Sequence, residues 1–108
     1  MVFTKDAFKK HWGSRLKADY AKAHWHFGNA LIAEGKNEEA ISHYKMAIKL
    51  KPDYALAHYN LGIALFQAEM TEEAIYHFKE AIRIRPGLAA AQKNLETVLR
   101  SMEIQDLF

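Results

Sequence analysis

The sequence predicts an all-α fold, an α-α superhelix built around two full helix-turn-helix repeats of 34 residues. Residues 21–54 and 55–88 align without a gap and are identical at 15 of 34 positions. Within each copy, apolar residues recur three and four residues apart, which is the spacing of one helix face. Each copy closes on a proline, Pro52 or Pro86, that ends its second helix. A fixed period of this length is typical of stacked units that bury their apolar faces against their neighbours.

The first repeat divides into two helices, A and B, at Gly35. A glycine can leave a helix through a left-handed backbone conformation, so we expect helix A to end there. Asn37 is the predicted N-cap of helix B, because its side chain can accept hydrogen bonds from free backbone amides. Glu38 and Glu39 follow at the positive end of the helix dipole. Helix B is then expected to run toward Lys49.

The second repeat follows the same plan, with Thr71 as the predicted N-cap of its helix B. Glu69 stands in the place of Gly35. Either Glu69 adopts a left-handed conformation that side chains disfavour, or this turn is built differently. In both cases we expect it to be weaker than the first turn.

Small and large residues alternate at the predicted contact between helices A and B. Gly28 and Gly62 have no side chain, so a neighbouring helix can approach the backbone closely. Four large side chains are expected to fill the remaining space: Phe27, Tyr44, Leu61 and Phe78.

The flanking segments are not full repeats. The C-terminal segment aligns with a third helix A and has no helix B after it, so it is predicted to be a partial third repeat that caps the stack. The N-terminal segment is predicted to hold a short helix from Thr4 to a stop at Gly13. The predicted units are thus an N-terminal helical segment, the first repeat, the second repeat and the capping helix, at 1–20, 21–54, 55–88 and 89–108.

Composition argues against several classes of partner. The 15 basic and 13 acidic residues are mixed along the chain and leave a formal net charge of +2, so we expect neither nucleic acid nor a membrane as partner. The chain has no cysteine, which fits a reducing compartment. Without an apolar N-terminal run or a stretch of membrane-spanning length, a soluble cytoplasmic protein is expected.

Catalysis and metal binding find no support in the residues. There is no nucleophile elbow, no phosphate-binding glycine loop and no cofactor motif, so we predict that the chain is not an enzyme and holds no cofactor. His24 and His58 recur between the repeats, but no cysteine or acid completes a tetrahedral set with them. His43 and His77 also recur, and we expect them on an exposed face of helix B.

The repeat pattern resembles the tetratricopeptide repeat family over residues 21–88, with a partial third unit to about Leu99. The resemblance rests on a large residue before a small one in helix A, a large residue three positions later, and an alanine, an aromatic and another alanine in helix B. These features are Phe27-Gly28, Leu31, Ala40, Tyr44 and Ala47 in the first repeat, and Leu61-Gly62, Leu65, Ala74, Phe78 and Ala81 in the second.

The resemblance implies antiparallel helix pairs whose A helices line a concave groove for an extended peptide or a partner helix, and it implies no catalysis. One subgroup grips C-terminal carboxylates with three cations and two asparagines. The corresponding positions hold Trp25, Asn29, Asn60, Ala90 and Asn94. All three cations are missing, so we do not expect a carboxylate clamp.

The groove-facing positions are unusually apolar, and aromatic residues dominate binding hot spots. His26, Asn60 and Asn94 occupy equivalent positions in three successive helices, where their side chains can bond the backbone of an extended peptide. Alternatively, Ile32 and Phe66 are covered by the chain itself. The predicted partner-binding residues are Trp25, Asn29, Ile32, Tyr59, Asn60, Ile63, Phe66, Lys93 and Asn94.

These observations favour a protein-protein interaction module whose partner is a protein or peptide. Two alternatives remain. In the first, the chain is a self-associating structural unit, either a homodimer or a dimer that exchanges its N-terminal helix, because short arrays have large exposed ends. In the second, the chain is the recognition arm of a larger enzyme. The apolar residues at the two ends that favour self-association are Phe3, Phe8, Trp12, Leu107 and Phe108.

Overall fold

The regular secondary structure in the described part of the chain is entirely α-helical. The computed structural model describes the backbone of residues 5–107 and the side chains of residues 13–107. Within that range it contains no strand, and its helices are α1 Lys5–Ala33, α2 Asn37–Leu50, α3 Ala55–Gln67, α4 Thr71–Ile84 and α5 Ala89–Asp106. Each helix packs against the next one in the chain, and α3 also meets α1 and α5. The predicted all-α repeat superhelix is confirmed.

The first helix is longer than predicted. Helix α1 runs without a break for 29 residues, so the predicted stop at Gly13 is wrong. A glycine inside a helix costs about 1 kcal/mol relative to alanine, which is too little to end a helix that its neighbours propagate. The helix also crosses the boundary predicted between residues 20 and 21. The N-cap predicted at Thr4 lies outside the described residues.

The B helices begin where predicted, at Asn37 and Thr71, but not through the predicted caps. Lys36 and Met70 occupy the N-cap positions, and neither makes a side-chain capping bond. The Asn37 side chain instead donates from Nδ2 to the carbonyl of Ala64, 3.0 Å away. Asn37 therefore ties α2 to the following repeat and does not cap its own helix.

The two A-to-B turns have the same geometry despite their different residues. Gly35 and Glu69 both have positive φ, 77° and 63°. In the second turn, the backbone N–H of Met70 bonds the carbonyl of Leu65 at 2.8 Å and that of Glu69 bonds Phe66 at 3.0 Å. The first turn has the equivalent bonds, and together they form the Schellman arrangement that satisfies free carbonyls at a helix end. Of the two alternatives for this turn, the first is correct: Glu69 adopts the left-handed conformation.

Close approach at two glycines holds each helix pair together. A Cβ atom placed on Gly28 would lie 2.5 Å from the Tyr44 ring, and one on Gly62 would lie 2.8 Å from the Phe78 ring. Tyr44 and Phe78 are each only 1% exposed. The predicted role of the two glycines is confirmed, and these two rings form the centre of the core.

Phe27 does not belong to the core. It was predicted to fill the space between helices, but its side chain is 58% exposed, whereas its counterpart Leu61 is fully buried. Leu61 is covered because α2 precedes α3 in the stack. No described helix precedes α1, so the same position on α1 stays open. The described chain contains no helix long and apolar enough to cross a membrane.

Candidate partner-binding groove

A small cavity lies where α1 and α3 pack side by side. Its volume is about 140 Å³, and it is lined by Asn29, Ile32, Tyr44, Asn60 and Ile63; we call it the central pocket. Four of these five residues were predicted to bind a partner. The A helices therefore bring one asparagine and one isoleucine each to the same point.

Hydrogen bonds fix the polar side of the central pocket. The Tyr44 hydroxyl donates to Asn29 Oδ1 at 2.6 Å, and Asn60 Nδ2 donates to the same oxygen at 2.7 Å. Burial raises the pKa of Tyr44, against a smaller lowering by Asn60, so the phenol stays neutral and keeps its proton. With its oxygen accepting both bonds, Asn29 turns its N–H groups to other partners.

Tyr44 is the site residue that the sequence analysis assigned only to packing. Its counterpart in the second repeat is Phe78, and the counterpart of Asn29 is Ile63. The polar pair in the first repeat thus becomes an apolar pair in the second. The sequence signal is that Tyr44 and Asn29 are both polar where their counterparts are both apolar, which points to a hydrogen bond between the Tyr44 hydroxyl and Asn29.

A second polar contact continues this surface onto α5. Asn94 Nδ2 donates to the Tyr59 hydroxyl at 3.2 Å, and the Tyr59 ring lies 6.2 Å from that of Phe78. Lys93, beside Asn94, is exposed. Polar side chains therefore join α1 to α3 and α3 to α5.

Trp25 and Phe66 lie at the margins of this surface. Trp25 is half-buried, its ring is 6.0 Å from that of Tyr54, and its Nε1 atom is buried without a hydrogen-bond partner. Phe66 lines a separate cavity of about 560 Å³ that includes Ser101 and Gln105 of α5. Both side chains also pack against the core, and neither is among the residues that line the central pocket.

The structure also forms two histidine pairs that the sequence analysis did not foresee. The Nδ1 atoms of His24 and His43 are 3.0 Å apart, and so are those of His58 and His77. The expectation of an exposed face for His43 and His77 is wrong, because both are half-buried against helix A.

Each pair joins helix A to helix B of one repeat. The second pair also reaches the preceding loop, where His58 Nε2 lies 2.9 Å from the carbonyl of Pro52. Burial lowers the pKa of His77 to about 4, the charges of His58 and Lys45 act in the same direction, and that of Glu80 opposes them. Among the described residues, no group of three histidine, cysteine or acidic side chains is placed to hold a metal ion.

Comparisons with known proteins agree with this architecture. A family model described as TPR repeat matches residues 28–69, and one described as tetratricopeptide repeat matches residues 55–88. The chain belongs to the tetratricopeptide repeat family. Members of this family are protein-interaction modules, so the chain is one too. No curated protein matches its sequence.

Several solved structures share the fold of this tetratricopeptide repeat chain. The second TPR of Spaghetti (RPAP3), bound to the HSP90 peptide SRMEEVD, is 24% identical, with a TM-score of 0.81 over 87% of this chain and 86% of its own. MamA is 24% identical, with a TM-score of 0.72, and the match covers 98% of this chain and 69% of the MamA chain. The first TPR of RPAP3, bound to the same peptide, is 18% identical, with a TM-score of 0.53, and the match covers 80% of this chain and 95% of the RPAP3 chain. At these identities the likeness concerns the fold alone.

Proposed function

We propose that this tetratricopeptide repeat module captures an extended segment of a protein partner along the surface of α1, α3 and α5. The observation that carries the proposal is the central pocket, in which an oriented amide network faces two isoleucines. Such a site combines apolar contact area with a few well-placed polar groups, as ligand sites commonly do. Trp25, Tyr59, Phe66, Lys93 and Asn94 would contact the parts of the segment on either side.

The chemistry of the pocket indicates which segment fits. The N–H groups of Asn29 can donate to a peptide carbonyl, and the Asn60 carbonyl can accept from a peptide N–H. Ile32 and Ile63 offer an apolar wall to an aliphatic side chain. An extended peptide presents these groups together, since its backbone polar groups alternate with its side chains.

The missing cations of the carboxylate-binding positions support a neutral segment as the ligand. RPAP3 binds an acidic HSP90 peptide. In this chain, Trp25 and Ala90 occupy positions where the resembling carboxylate-binding subgroup has cations, and Asn94 occupies a third. We therefore propose an uncharged apolar stretch as the ligand and not an acidic C-terminus.

The test uses peptides selected from a random library on the wild-type chain, with affinity measured by fluorescence anisotropy. The double variant Asn29→Ile with Tyr44→Phe gives the first repeat the residues of the second, so it should fold. It removes the amide network, and we expect affinity to fall at least tenfold, which corresponds to about 1.4 kcal/mol. Tyr76→Ala, at an exposed position on α4, is the control and should bind as the wild type does.

Two results would contradict the proposal. If the selected peptides bound the wild type and the double variant with equal affinity, the central pocket would not be part of the binding site. Binding of the SRMEEVD peptide as tight as that of the best neutral peptide would overturn the proposed preference for an uncharged segment.

A second candidate function is self-association into a homodimer. One observation favours it: Leu16, Tyr20 and Phe27, all on α1, are 51%, 59% and 58% exposed. Large apolar side chains grouped on one open face mark interaction sites.

We also propose a cytoplasmic location, which the absence of cysteine supports. Imaging of the fluorescently tagged chain in its own cells would test it, and a signal confined to another compartment would exclude it.

A further inference from the structure

Two asparagines at equivalent positions of α3 and α5 have the same orientation. Asn60 Nδ2 donates to Asn29 Oδ1 on α1 at 2.7 Å. In the same way, Asn94 Nδ2 donates to the Tyr59 hydroxyl on α3 at 3.2 Å. Neither asparagine Oδ1 is among the buried polar atoms of the described residues that lack a partner. Each of these two side chains therefore keeps a carbonyl oxygen that can accept a hydrogen bond from a ligand.

A hydrogen-bond donor lies beside each of these two acceptors. Asn29 uses its oxygen to accept from Tyr44 and Asn60, so its N–H groups can donate elsewhere. The Tyr59 hydroxyl accepts from Asn94, and its own proton is left to donate. The junction of α1 with α3 and the junction of α3 with α5 thus offer one donor and one acceptor each. A peptide residue other than proline presents one N–H and one C=O, so each junction matches the backbone of one residue.

The distance between the two junctions indicates the conformation of the ligand. Helix α3 meets both α1 and α5, and the axes of packed helices lie about 8 to 10 Å apart. In a β-strand, residues on the same side are two or four apart, which is about 7 or 13 Å. In a polyproline II helix, residues on the same side are three apart, which is about 9 Å. The polyproline II helix matches the spacing of the A helices, and the β-strand does not.

Aromatic side chains repeat along the groove with the same spacing. Trp25 on α1 and Tyr59 on α3 occupy equivalent positions of the two repeats, and both are half-buried. Grooves lined with aromatic rings are the sites that proline-rich segments occupy in the polyproline II conformation. The aromatic residues therefore favour the same conformation as the hydrogen-bonding groups.

We propose that the segment bound by this module is an uncharged proline-rich stretch in the polyproline II conformation, with a residue other than proline at every third position. The proposal rests on the proposed function and names the sequence class of its ligand. The residues at every third position supply the N–H groups that Asn60 and Asn94 accept, since proline has none. The intervening prolines hold the segment in its bound conformation, so that less entropy is lost on binding.

The first experiment compares two synthetic peptides, acetylated and amidated at their ends, by isothermal titration calorimetry with the full chain. One is Leu-Pro-Pro-Leu-Pro-Pro-Leu and the other is Leu-Pro-Leu-Pro-Leu-Pro-Pro. They have the same composition and no charge, but no two leucines of the second peptide are three residues apart. The second peptide can therefore bond only one junction at a time. We expect the first peptide to bind at least tenfold more tightly.

The second experiment repeats both titrations with Asn94→Ala, which removes the acceptor at the junction of α3 with α5. The affinity for the first peptide should fall at least fivefold. The affinity for the second peptide should stay unchanged, because one of its leucines can still bond the junction of α1 with α3. Tyr76→Ala, at an exposed position on α4, is the control and should bind both peptides as the wild type does.

The outcomes separate this proposal from the proposed function. Equal affinity of the wild type for the two peptides would overturn the three-residue spacing, and so would an equal effect of Asn94→Ala on both. If neither peptide bound while peptides selected from the random library did, the polyproline II ligand would be wrong and the peptide-binding groove would stand. If no neutral peptide of either kind bound, the proposed function would fail, and this proposal with it.

Discussion

At the scale of single residues, Glu69 holds a backbone conformation that normally belongs to glycine. Its φ is 63°, close to the 77° of Gly35 in the equivalent turn. A left-handed conformation costs a residue with a side chain about 1 to 2 kcal/mol. Glycine avoids that cost but loses about 0.4 to 1 kcal/mol through the greater freedom of its unfolded chain.

We therefore predict that Glu69→Gly stabilises the chain by about 0.5 to 1 kcal/mol. Chemical denaturation followed by circular dichroism measures it. Glu96→Gly is the control, because Glu96 is exposed inside α5 and glycine there should destabilise by about 1 kcal/mol. Destabilisation by Glu69→Gly would mean that the glutamate side chain makes a stabilising contact.

Residues that act through shape could be predicted, and those that act through long-range contacts could not. The close approach at Gly28 and Gly62 followed from the absence of a side chain in both repeats. The cap predicted at Asn37 failed because its side chain bonds Ala64, 27 residues away. The prediction that Phe27 fills the space between helices failed because its exposure depends on which helix precedes α1.

At the scale of helix pairs, the histidine pairs are the least expected contacts. The second pair crosses from α3 to α4, and His58 Nε2 lies 2.9 Å from the Pro52 carbonyl. A carbonyl only accepts, so His58 Nε2 carries the proton, and Nδ1 of a neutral His58 accepts from His77 Nδ1–H. The pair thus links two helices and a loop while both rings are neutral.

Acid should weaken this link. Burial and nearby positive charges lower the pKa of His77 from its usual 6.5 to about 4. Between these values the unfolded chain binds more protons than the folded chain, so the free energy of unfolding rises with pH. The stability that His77 contributes is therefore lost as pH falls from about 6.5 toward 4. We expect a loss of about 1 to 2 kcal/mol, below the full linkage value because the ring is partly exposed.

Urea denaturation at several pH values measures this loss. His77→Phe keeps the ring and removes the titrating group, so its slope between pH 4 and 6.5 should be shallower than that of the wild type. His26→Phe, at an exposed position outside both pairs, should keep the wild-type slope. Equal slopes for His77→Phe and wild type would show that His77 does not carry the effect.

The helices themselves were largely predictable, and the contacts between them were less so. Three- and four-residue spacing and the two prolines indicated α2 to α5 in the right places. The unbroken α1 was missed because one glycine is a weak stop inside a long helix. The central pocket was partly foreseen because its four A-helix residues lie on one face, whereas Tyr44 enters it from helix B.

At the scale of the whole molecule, position in the stack decides which apolar surfaces are covered. Tyr44 and Phe78 occupy equivalent positions in the two repeats and are each 1% exposed, since each lies between two A helices. The equivalent positions of α1 and α3 differ because, among the described helices, α2 precedes α3 and none precedes α1. In such a stack, stability is approximately a sum of unit and interface contributions, so the last interface should matter as much as an internal one.

Helix α5 provides that last interface, and removing it should destabilise the entire chain. Its Ala91 and Val98 are 0% and 1% exposed, and Leu95 packs against the core. Loss of the burial of Val98 alone corresponds to about 1.5 to 3 kcal/mol. We predict that deletion of residues 89–108 lowers the free energy of unfolding by at least this amount and reduces helicity at 25 °C beyond the share of the deleted residues.

The matched control deletes only residues 104–108, where Ile104 and Leu107 are 52% and 80% exposed. Because these side chains bury little surface, the shorter deletion should change the free energy of unfolding by less than about 1 kcal/mol. Thermal and chemical denaturation at one protein concentration compare the two deletions. If both deletions had equally small effects, α5 would not be the cap of the stack, and α4 would be stable without an apolar cover on its outer side.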